Sequence, residues 1–331
     1  MEQQVLGRTG RLVSAVGLGT WQLGADWGEV SESDARAVLE ASLEAGVTFF
    51  DTADVYGDGR SEQAIGSFLK DHPDTGITVA TKMGRRMDQV PENYVLGHFR
   101  EWTDRSRRNL GVDRLDLVQL HCPPTAVYSS DAVYDALDQL VSDGAVAAYG
   151  VSVEKSSEAL EAIARPNVAT VQIILNAFRL KPLEEVLPAA SAAGVGIIAR
   201  VPLASGLLSG RYTKETVFAE NDHRTFNRDG AAFDVGETFS GVPYEVGLEA
   251  AGRFTELAKD RVGDSLTPAQ AAIAWAWQRP GVSSVIPGAR NVEQARANAA
   301  AGDAATLGPL FMSGVREIYD EMIKEHVHDK W

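Results

Sequence analysis

The sequence predicts an α/β fold in which eight strand-and-helix units close into a parallel (β/α)8 barrel, the TIM-barrel architecture. Short apolar runs alternate with segments of helical periodicity along the whole chain. Several runs are apolar at consecutive positions, as in strands buried on both faces of a parallel sheet. No change in composition divides the 331 residues, so we expect a single domain over 1–331.

Eight apolar runs are candidates for the barrel strands, and the clearest has the sequence VTFF at 47–50. The first run is AVGL at 15–18, and the others begin near Val47, Thr78, Leu115, Val146, Val168, Gly196 and Val282. An open, doubly wound sheet is the alternative arrangement of such units. We favour the barrel because closure leaves no exposed strand edge.

Helical periodicity fills most of the intervals between these runs. In the first interval Ser31 and Asp34 resemble a capping box, and apolar residues then repeat at helical spacing until Gly46 ends the helix. The other predicted helices lie at 93–110, 131–142, 156–164, 181–193, 247–260, 267–278 and 291–301.

Three segments depart from a plain barrel. Residues 1–14, with Gly10 at their centre, predict an N-terminal β-hairpin, and an extra C-terminal helix is predicted after residue 308. The polar stretch from about 213 to 245 is expected to form a surface loop over the barrel mouth.

The composition argues against several classes of partner. With 31 basic and 46 acidic residues the formal net charge is −15, which disfavours binding to nucleic acids or to anionic membranes. No apolar run is long enough to span a bilayer, and the start resembles no signal peptide. Cys122 is the single cysteine, so neither an internal disulfide nor a paired-cysteine metal site is expected. These features predict a cytoplasmic protein.

Polar side chains stand where the predicted strands end, and the carboxyl ends of barrel strands are where such folds build active sites. The strand-end residues are Asp51, Lys82, His121, Ser152, Gln172 and Arg200. Tyr56 lies five residues past Asp51, where a short turn would bring its ring over the same rim. Each of these side chains alone has an ordinary structural explanation, but together they favour a catalytic site.

These residue types suit the reduction of a carbonyl group, whose oxygen gains negative charge as it accepts a hydride. Tyr56 is the candidate proton donor. Its ordinary pKa of about 10 would have to fall by about two units, or roughly 3 kcal/mol, and we expect a neighbouring Lys82 ammonium to lower it. Asp51 would hold Lys82 charged, and a neutral His121 would orient the carbonyl oxygen. Trp21, Tyr56 and His121 are therefore the predicted substrate-binding residues.

Six ordered segments of the chain resemble the aldo-keto reductase family. They are GTW at 19–21, DTADVYG at 51–57, ATK at 80–82, LH at 120–121, PLASGLLSG at 202–210 and IPGA at 286–289. The resemblance spans the whole chain and implies NADPH-dependent reduction of small carbonyl substrates in a (β/α)8 barrel. It places the catalytic tetrad on Asp51, Tyr56, Lys82 and His121.

The same resemblance implies where NADPH binds. Ser152 and Gln172 would bind the nicotinamide carboxamide, the glycine-rich loop 203–211 would cover the pyrophosphate, and Gln294 and Asn298 would contact adenine. Arg290, beside a helix that begins near Asn291, suits a 2′-phosphate and favours NADP over NAD. The full predicted cofactor set is Gly19, Thr20, Trp21, Asp51, Ser152, Gln172, Arg200, Pro202, Leu203, Ser205, Gly206, Leu208, Gly210, Arg211, Ile286, Gly288, Ala289, Arg290, Gln294 and Asn298.

Three positions depart from the family pattern. Arg200 stands where many relatives carry an aromatic residue against the nicotinamide, and Val153 replaces an asparagine after the carboxamide-binding serine. Gly288 and Ala289 replace a lysine and serine pair, which leaves more of the 2′-phosphate to Arg290. A GxGxxA match at 194–199 follows a helix and opens a strand, so we interpret Gly194 as a helix stop.

Two other functions remain open at this stage. Lys82 could form a Schiff base in an aldolase, although an Asp51 partner would keep it protonated. The family resemblance also includes channel regulatory subunits that bind NADP with little turnover. The substrate and the oligomeric state cannot be assigned, since Trp21, Trp27 and the CPP sequence at 122–124 could line a pocket or pack the rim.

Overall fold

The computed structural model describes residues 1–24 and 30–331 and contains an eight-stranded parallel sheet curled into a barrel. Its strands pair in chain order from β3 to β10. The strands are β3 (Leu18–Gly19), β4 (Phe49–Asp51), β5 (Thr78–Met83), β6 (Leu117–His121), β7 (Tyr149–Ser152), β8 (Val168–Ile174), β9 (Gly196–Arg200) and β10 (Val282–Val285). The predicted (β/α)8 fold is confirmed.

The barrel closes between its first and last strands. Val16 bridges Val285 in parallel, and the Gly17 amide donates to the Val285 carbonyl at 2.8 Å. A Cβ at Gly17 would lie 2.8 Å from the carbonyl oxygen of Phe49, so only glycine allows the strands to approach this closely. Closure brings the carboxyl ends of all eight strands to one rim.

A two-stranded antiparallel hairpin precedes the barrel, as the sequence predicted. Its strands are β1 (Gln3–Val5) and β2 (Leu12–Ser14), and Gly10 has the left-handed φ of 67° that the turn requires. Leu6 and Val13 are fully buried against side chains from inside the barrel, namely Phe49, Ala80, Leu117, Ile198 and Ile286. The hairpin therefore covers one end of the barrel.

Helices surround the sheet at bounds close to those predicted. They are α1 (Glu32–Glu44), α2 (Arg60–Asp71), α3 (Leu96–Leu110), α4 (Asp131–Ser142), α5 (Ser156–Ile163), α6 (Val186–Ala193), α7 (His223–Phe226), α8 (Tyr244–Val262), α9 (Pro268–Trp277), α10 (Val292–Ala300), α11 (Pro309–Ile318) and α12 (Lys324–Val327). The Ser31 side chain caps α1 by accepting from the Asp34 amide, and Gly194 ends α6 in the left-handed conformation. The helix α2 was not predicted.

Residues 213–243, here called the lid segment, connect β9 to α8 across the mouth of the barrel, as predicted. The segment contains α7 and several single turns rather than long helices. Trp331 packs against it, with its indole N–H donating to Asp234 at 2.9 Å and its ring 3.6 Å from the Arg179 guanidinium. Among the described residues, no helix is both long and apolar enough to cross a membrane.

Candidate active site

Asp51, Lys82 and Tyr56 meet at the carboxyl ends of β4 and β5, where neighbouring parallel strands bring them together. The Lys82 ammonium donates to Asp51, to the Thr52 carbonyl at 2.9 Å and to the Tyr56 hydroxyl at 3.3 Å. Asp51 also accepts from the side-chain amides of Gln172 at 2.7 Å and Gln119 at 3.2 Å. Lys82 and Asp51 are both buried, so the ammonium is held in one position beside the phenol.

The pKa of Tyr56 is raised above its ordinary value, because burial outweighs the opposing effect of the Lys82 ammonium. The expectation that Lys82 would leave this pKa below its ordinary value is therefore wrong. Burial lowers the pKa of Lys82, but Asp51 and Tyr56 outweigh burial and leave it raised. The site thus holds a protonated phenol next to a protonated amine at neutral pH. A proton donor must start in its protonated state. The neighbouring Lys82 ammonium would stabilise the phenolate that forms when Tyr56 gives up its proton.

His121 ends β6 and its ring packs edge-on to that of Tyr56, with the centroids 5.9 Å apart. Burial, followed by the positive charges of Arg85, Lys82 and Arg200, lowers the pKa of His121 well below 6.5. The imidazole is therefore neutral near pH 7, as predicted, and it can donate one hydrogen bond to a carbonyl oxygen.

A groove of about 600 Å³ crosses the mouth of the barrel and begins at Asp51, Tyr56 and Gln172. Its walls combine the glycine-rich loop after β9, the segment after β10 and part of the lid segment. Most of the predicted cofactor residues line it: Gly19, Thr20, Trp21, Asp51, Gln172, Arg200, Pro202, Leu203, Ser205, Gly206, Arg211, Ile286, Gly288, Arg290, Gln294 and Asn298. A groove of this volume, lined by polar side chains and by a glycine-rich loop, fits a dinucleotide.

Four predicted cofactor residues do not line this groove. Leu208 and Ala289 are buried beneath its walls, and Gly210 lies at the exposed end of the loop. Ser152 is buried, and its hydroxyl accepts from the Cys122 thiol at 3.3 Å. The Gln172 amide nitrogen donates to Asp51 at 2.7 Å, and Gln172 lines the groove.

The backbone is strained where the groove meets the sheet. Val201, Ala204 and Ser205 follow β9 with φ between 47° and 56°, and Cys122 follows β6 with φ 47°. For a β-branched residue such as Val201 the left-handed conformation is rare and costs about 1–3 kcal/mol. Strain of this kind collects at functional sites. Here it bends the chain so that the loop 203–211 runs along the groove.

Three arginine side chains line the groove. They are those of Arg211, Arg224 and Arg290, and Arg224 comes from the lid segment. Asp222 pairs with Arg224 at 2.5 Å and approaches Arg290 at 3.5 Å, so it fixes two guanidinium groups together. Guanidinium groups in this arrangement suit a phosphate ester, which accepts several hydrogen bonds at once.

An ionic cluster surrounds Arg200 at the end of β9. Arg200 donates to Glu154 at 2.8 Å and to the Val153 carbonyl at 3.1 Å, and it lies 3.5 Å from Glu237 of the lid segment. Burial raises the pKa of Glu154 to about 7. Burial also raises the pKa of Glu237, but Arg200 and Arg85 outweigh it and leave the value below its ordinary range.

The cluster includes a set of atoms with metal-ligand spacing, since donor atoms of Cys122, Glu154 and Glu237 lie within 4.8 Å of one another in the described part of the chain. Both carboxylates are already paired with arginine, and burial raises the pKa of the Cys122 thiol to about 12. This is the environment of a compensated ionic cluster rather than of a metal centre.

A second, smaller cavity of about 170 Å³ lies beyond Tyr56 and shares Trp21, Tyr56 and Glu237 with the groove. The remaining lining residues are Val55, Arg85, His121 and Phe233. A carbonyl group placed here would be next to Tyr56 and His121. Trp21, Tyr56 and His121 all line this cavity, and Trp27 lies outside the described residues.

Sequence reasoning missed Arg85, Glu154, Arg224 and Glu237. Arg85 and Glu154 stand two residues past the ends of β5 and β7, so a wider reading of the strand ends would have found them. Arg224 and Glu237 come from the lid segment, whose irregular backbone carries no periodic signal. Nothing in the sequence indicated that these two side chains turn towards the barrel.

Comparisons with known proteins agree with this geometry. The model of the Aldo/keto reductase family matches residues 15–320. An aldo-keto reductase of Bacillus subtilis, YhdN, is 30% identical over 302 residues, which cover 90% of this chain and 87% of that protein. The holo form of aldo-keto reductase AKR11C1 from Bacillus halodurans superposes with a TM-score of 0.76 at 25% identity, covering 96% of each chain. An aldo-keto reductase of Klebsiella pneumoniae in complex with NADPH has the same fold, with a TM-score of 0.71, 23% identity and 96% coverage of each chain.

Proposed function

Because the chain belongs to the aldo/keto reductase family, we propose that it reduces aldehydes or ketones to alcohols with NADPH, using Tyr56 as the proton donor. The observation that supports this most directly is the contact of the Tyr56 hydroxyl with the buried Lys82 ammonium at 3.3 Å, at the junction of the groove and the small cavity.

The groove fits NADPH in its volume, its polarity and its charge. The polar end at Asp51 and Gln172 would take the nicotinamide, and the loop 203–211 would lie along the pyrophosphate. The arginine-rich end would take the 2′-phosphate, through Arg290 and Arg224. When bound, NADPH would supply the hydride that reduces the carbonyl carbon.

Residues of the chain itself would hold the substrate oxygen and provide the proton. The neutral His121 would donate a hydrogen bond to the carbonyl oxygen and Tyr56 would transfer its proton there. The Lys82 ammonium would stabilise the resulting phenolate, and Asp51 would keep Lys82 charged and in place. Each interaction strengthens as negative charge develops on oxygen, which is what accelerates the step.

A Schiff-base aldolase is a weaker candidate, because the Lys82 ammonium already donates to three oxygens and its pKa is raised. A protonated amine is not nucleophilic. Borohydride trapping with an aldehyde should therefore leave Lys82 unmodified.

The experiment that tests the proposal compares wild type with Tyr56→Phe. We expect the wild type to oxidise NADPH in the presence of simple aldehydes, and we expect Tyr56→Phe to lower kcat by about 100-fold or more, since the proton donor is lost. Tyr56→Phe should still bind NADPH, as measured by fluorescence titration. Tight NADPH binding without turnover of any carbonyl compound by the wild type would instead favour a regulatory subunit.

A further inference from the structure

The small cavity beyond Tyr56 contains an ion pair that the proposed reduction does not use. Arg85 enters from the turn after β5, where its Nε donates to the His121 carbonyl at 3.1 Å. Glu237 enters from the lid segment. Its carboxylate oxygen lies 3.6 Å from the nearest Arg85 nitrogen, and Glu154 lies 3.7 Å from the same guanidinium.

At these distances the opposite charges still attract one another, but the distances are too long for hydrogen bonds. In the described part of the chain, the terminal nitrogens of Arg85 have no acceptor within hydrogen-bond distance. Arg85 can only donate, and an ionised Glu237 can only accept. The cavity therefore presents one charged donor and one charged acceptor close together, next to Tyr56 and His121.

Contacts with residues that line the groove fix the position of Glu237. The Ser205 hydroxyl donates to the Glu237 backbone carbonyl at 3.1 Å and accepts from the Phe239 amide at 2.9 Å. Arg200 holds the Glu237 carboxylate from the other side at 3.5 Å. The acceptor is thus built into the site, because the loop of the groove and the end of β9 both position it.

The Arg85 and Glu237 pair would distinguish substrates by the substituent next to their carbonyl group. A purely aliphatic chain would cover both charged groups without giving either a partner, which is costly. A carboxylate would suit Arg85 but would be repelled by the ionised Glu237. A hydroxyl group can accept from Arg85 and donate to Glu237 at the same time, with no change in charge.

The remaining walls agree with this choice. The rings of Trp21 and Phe233 pack edge to face, with their centroids 5.8 Å apart. Both side chains line the cavity and provide apolar surfaces for the C–H groups of a substrate. The cavity volume of about 170 Å³ restricts the substrate to a short chain.

We propose that Arg85 and Glu237 are specificity-determining residues that select short-chain carbonyl compounds with a hydroxyl group beside the carbonyl, such as hydroxyaldehydes. The inference rests on the proposed reductase function. In the reaction the carbonyl carbon of glyceraldehyde accepts a hydride from NADPH and its oxygen accepts a proton from Tyr56. The products are glycerol and NADP⁺.

The test compares kcat/KM for glyceraldehyde and for propanal in the wild type, Arg85→Met and the neighbouring control Arg86→Met. We expect the ratio of glyceraldehyde to propanal to fall on the order of tenfold or more in Arg85→Met, because a charged hydrogen bond is lost. The control pairs with Asp58 outside the cavity, so its ratio should stay at the wild-type value. Comparing ratios between variants cancels the different hydration of the two aldehydes in water.

Three kinetic outcomes would overturn the proposal. An unchanged kcat/KM for both aldehydes in Arg85→Met would mean that the pair does not contact the substrate, and an equal loss for both aldehydes would mean that Arg85 only supports His121. A wild-type preference for 4-oxobutanoate over glyceraldehyde would mean that Arg85 binds an anion. Glu237→Gln serves as a second variant, and we expect it to shift preference towards 4-oxobutanoate because a repelling charge is removed.

Binding can be measured without turnover. Saturation-transfer NMR on the protein with NADPH should detect glycerol more strongly than 1-propanol, and Arg85→Met should abolish this difference. Equal signals from the two alcohols in the wild type would contradict the specificity proposal. This measurement also separates the specificity proposal from the proposed reductase function. If the protein turned over no aldehyde, the reductase function would be wrong. The binding of the two alcohols would still decide the role of Arg85 and Glu237.

Discussion

Asp222 contacts two arginines that come from different parts of the chain and line the groove. Arg224 belongs to the lid segment and Arg290 follows β10, and the Asp222 carboxylate contacts both. A phosphate group with two negative charges would interact with both guanidinium groups more strongly than a hydroxyl group could. At the scale of single residues, this arrangement predicts a preference for NADPH over NADH.

Replacing Arg290 with alanine tests this preference. We expect Arg290→Ala to raise the Kd for NADPH by about tenfold or more, because a charge-assisted hydrogen bond is worth about 1.5–3 kcal/mol. The Kd for NADH should change by less than about twofold, since NADH has no 2′-phosphate. Fluorescence titration measures both, with the exposed Arg253→Ala as the control. Equal weakening of the two cofactors would refute the assignment.

Asp54 is a buried carboxyl group whose two oxygens have no hydrogen-bond partner among the described residues. Burial and the nearby Glu62 raise its pKa to about 7, although Arg86 and Arg105 oppose them. In the unfolded chain the pKa is about 3.9. The folded state therefore favours the protonated form, so Asp54 lowers stability increasingly as the pH rises from about 4 to about 7, and the penalty is then constant.

Asp54→Asn should remove this penalty. We expect it to increase the free energy of unfolding at pH 8 by about 1–3 kcal/mol, and to change it little at pH 4.5, where the wild-type carboxyl is protonated in the folded state. Urea unfolding at both pH values measures the difference. The exposed Asp104→Asn on α3 is the control and should stay within about 0.5 kcal/mol of wild type. An equal gain at both pH values would exclude the ionisation of Asp54 as the cause.

At the scale of elements, Trp331 is one anchor of the lid segment. Its indole N–H donates to Asp234 at 2.9 Å, and Arg179 stacks on its ring at 3.6 Å. Its ring also packs closely under Gly241, where an added Cβ would meet a ring atom at 2.4 Å. Glu237 lies between these two contacts, so the anchor also holds the acceptor of the small cavity.

Removing this anchor should loosen the lid segment without changing the barrel. We expect Trp331→Ala to raise KM for carbonyl substrates several-fold and to make residues 213–243 more sensitive to limited proteolysis. Trp331→Phe keeps an aromatic ring but loses the indole N–H and part of the packing surface, so its effect should be smaller. The CD spectrum should remain that of the wild type in both variants. Unchanged proteolysis in Trp331→Ala would show that other contacts hold the segment.

Elements with a regular apolar period could be predicted from the sequence, and those without it could not. The helix α4 was predicted at its observed bounds because its buried face is apolar. The helix α2 was missed because its buried face includes Ser61, Glu62 and Gly66, and because Gly59 caps it without a side-chain hydrogen bond. Its polar face is buried by Asn109 and Thr81, which both contact Glu62. These contacts join residues that are distant in the sequence, so they depend on the tertiary structure.

The candidate site also contains some features that could be predicted from the sequence and others that could not. The proximity of Asp51, Tyr56, Lys82 and His121 could be predicted because strand ends in a barrel must converge. The direction of the Tyr56 pKa could not, because it depends on how completely the surrounding residues exclude water. Glu237 was also out of reach, since an irregular segment of the chain brings it back over the barrel mouth.

At the scale of the whole molecule, the N-terminal hairpin and the barrel share one packed interface. Leu6 is fully buried among interior barrel residues, and the Arg8 guanidinium donates to the carbonyls of Arg165, Pro166 and Val168 at 2.7–2.9 Å. Gly7 approaches the sheet so closely that a Cβ would lie 2.2 Å from the Ala169 carbonyl oxygen. The hairpin is therefore fixed to the starts of the strands, at the end of the barrel opposite the active site.

Leu6→Ala tests whether this distant end and the site belong to one cooperative unit, as the proposed single domain over 1–331 requires. We expect a loss of about 2–5 kcal/mol in the free energy of unfolding, because a fully buried leucine leaves a cavity. Unfolding in urea followed by far-UV CD and by tryptophan fluorescence should give coincident transitions, with both midpoints lowered together. The exposed Leu12→Ala on the same hairpin is the control and should stay near wild type. An early CD transition confined to Leu6→Ala, with the fluorescence midpoint unchanged, would mean that the hairpin unfolds separately from the barrel.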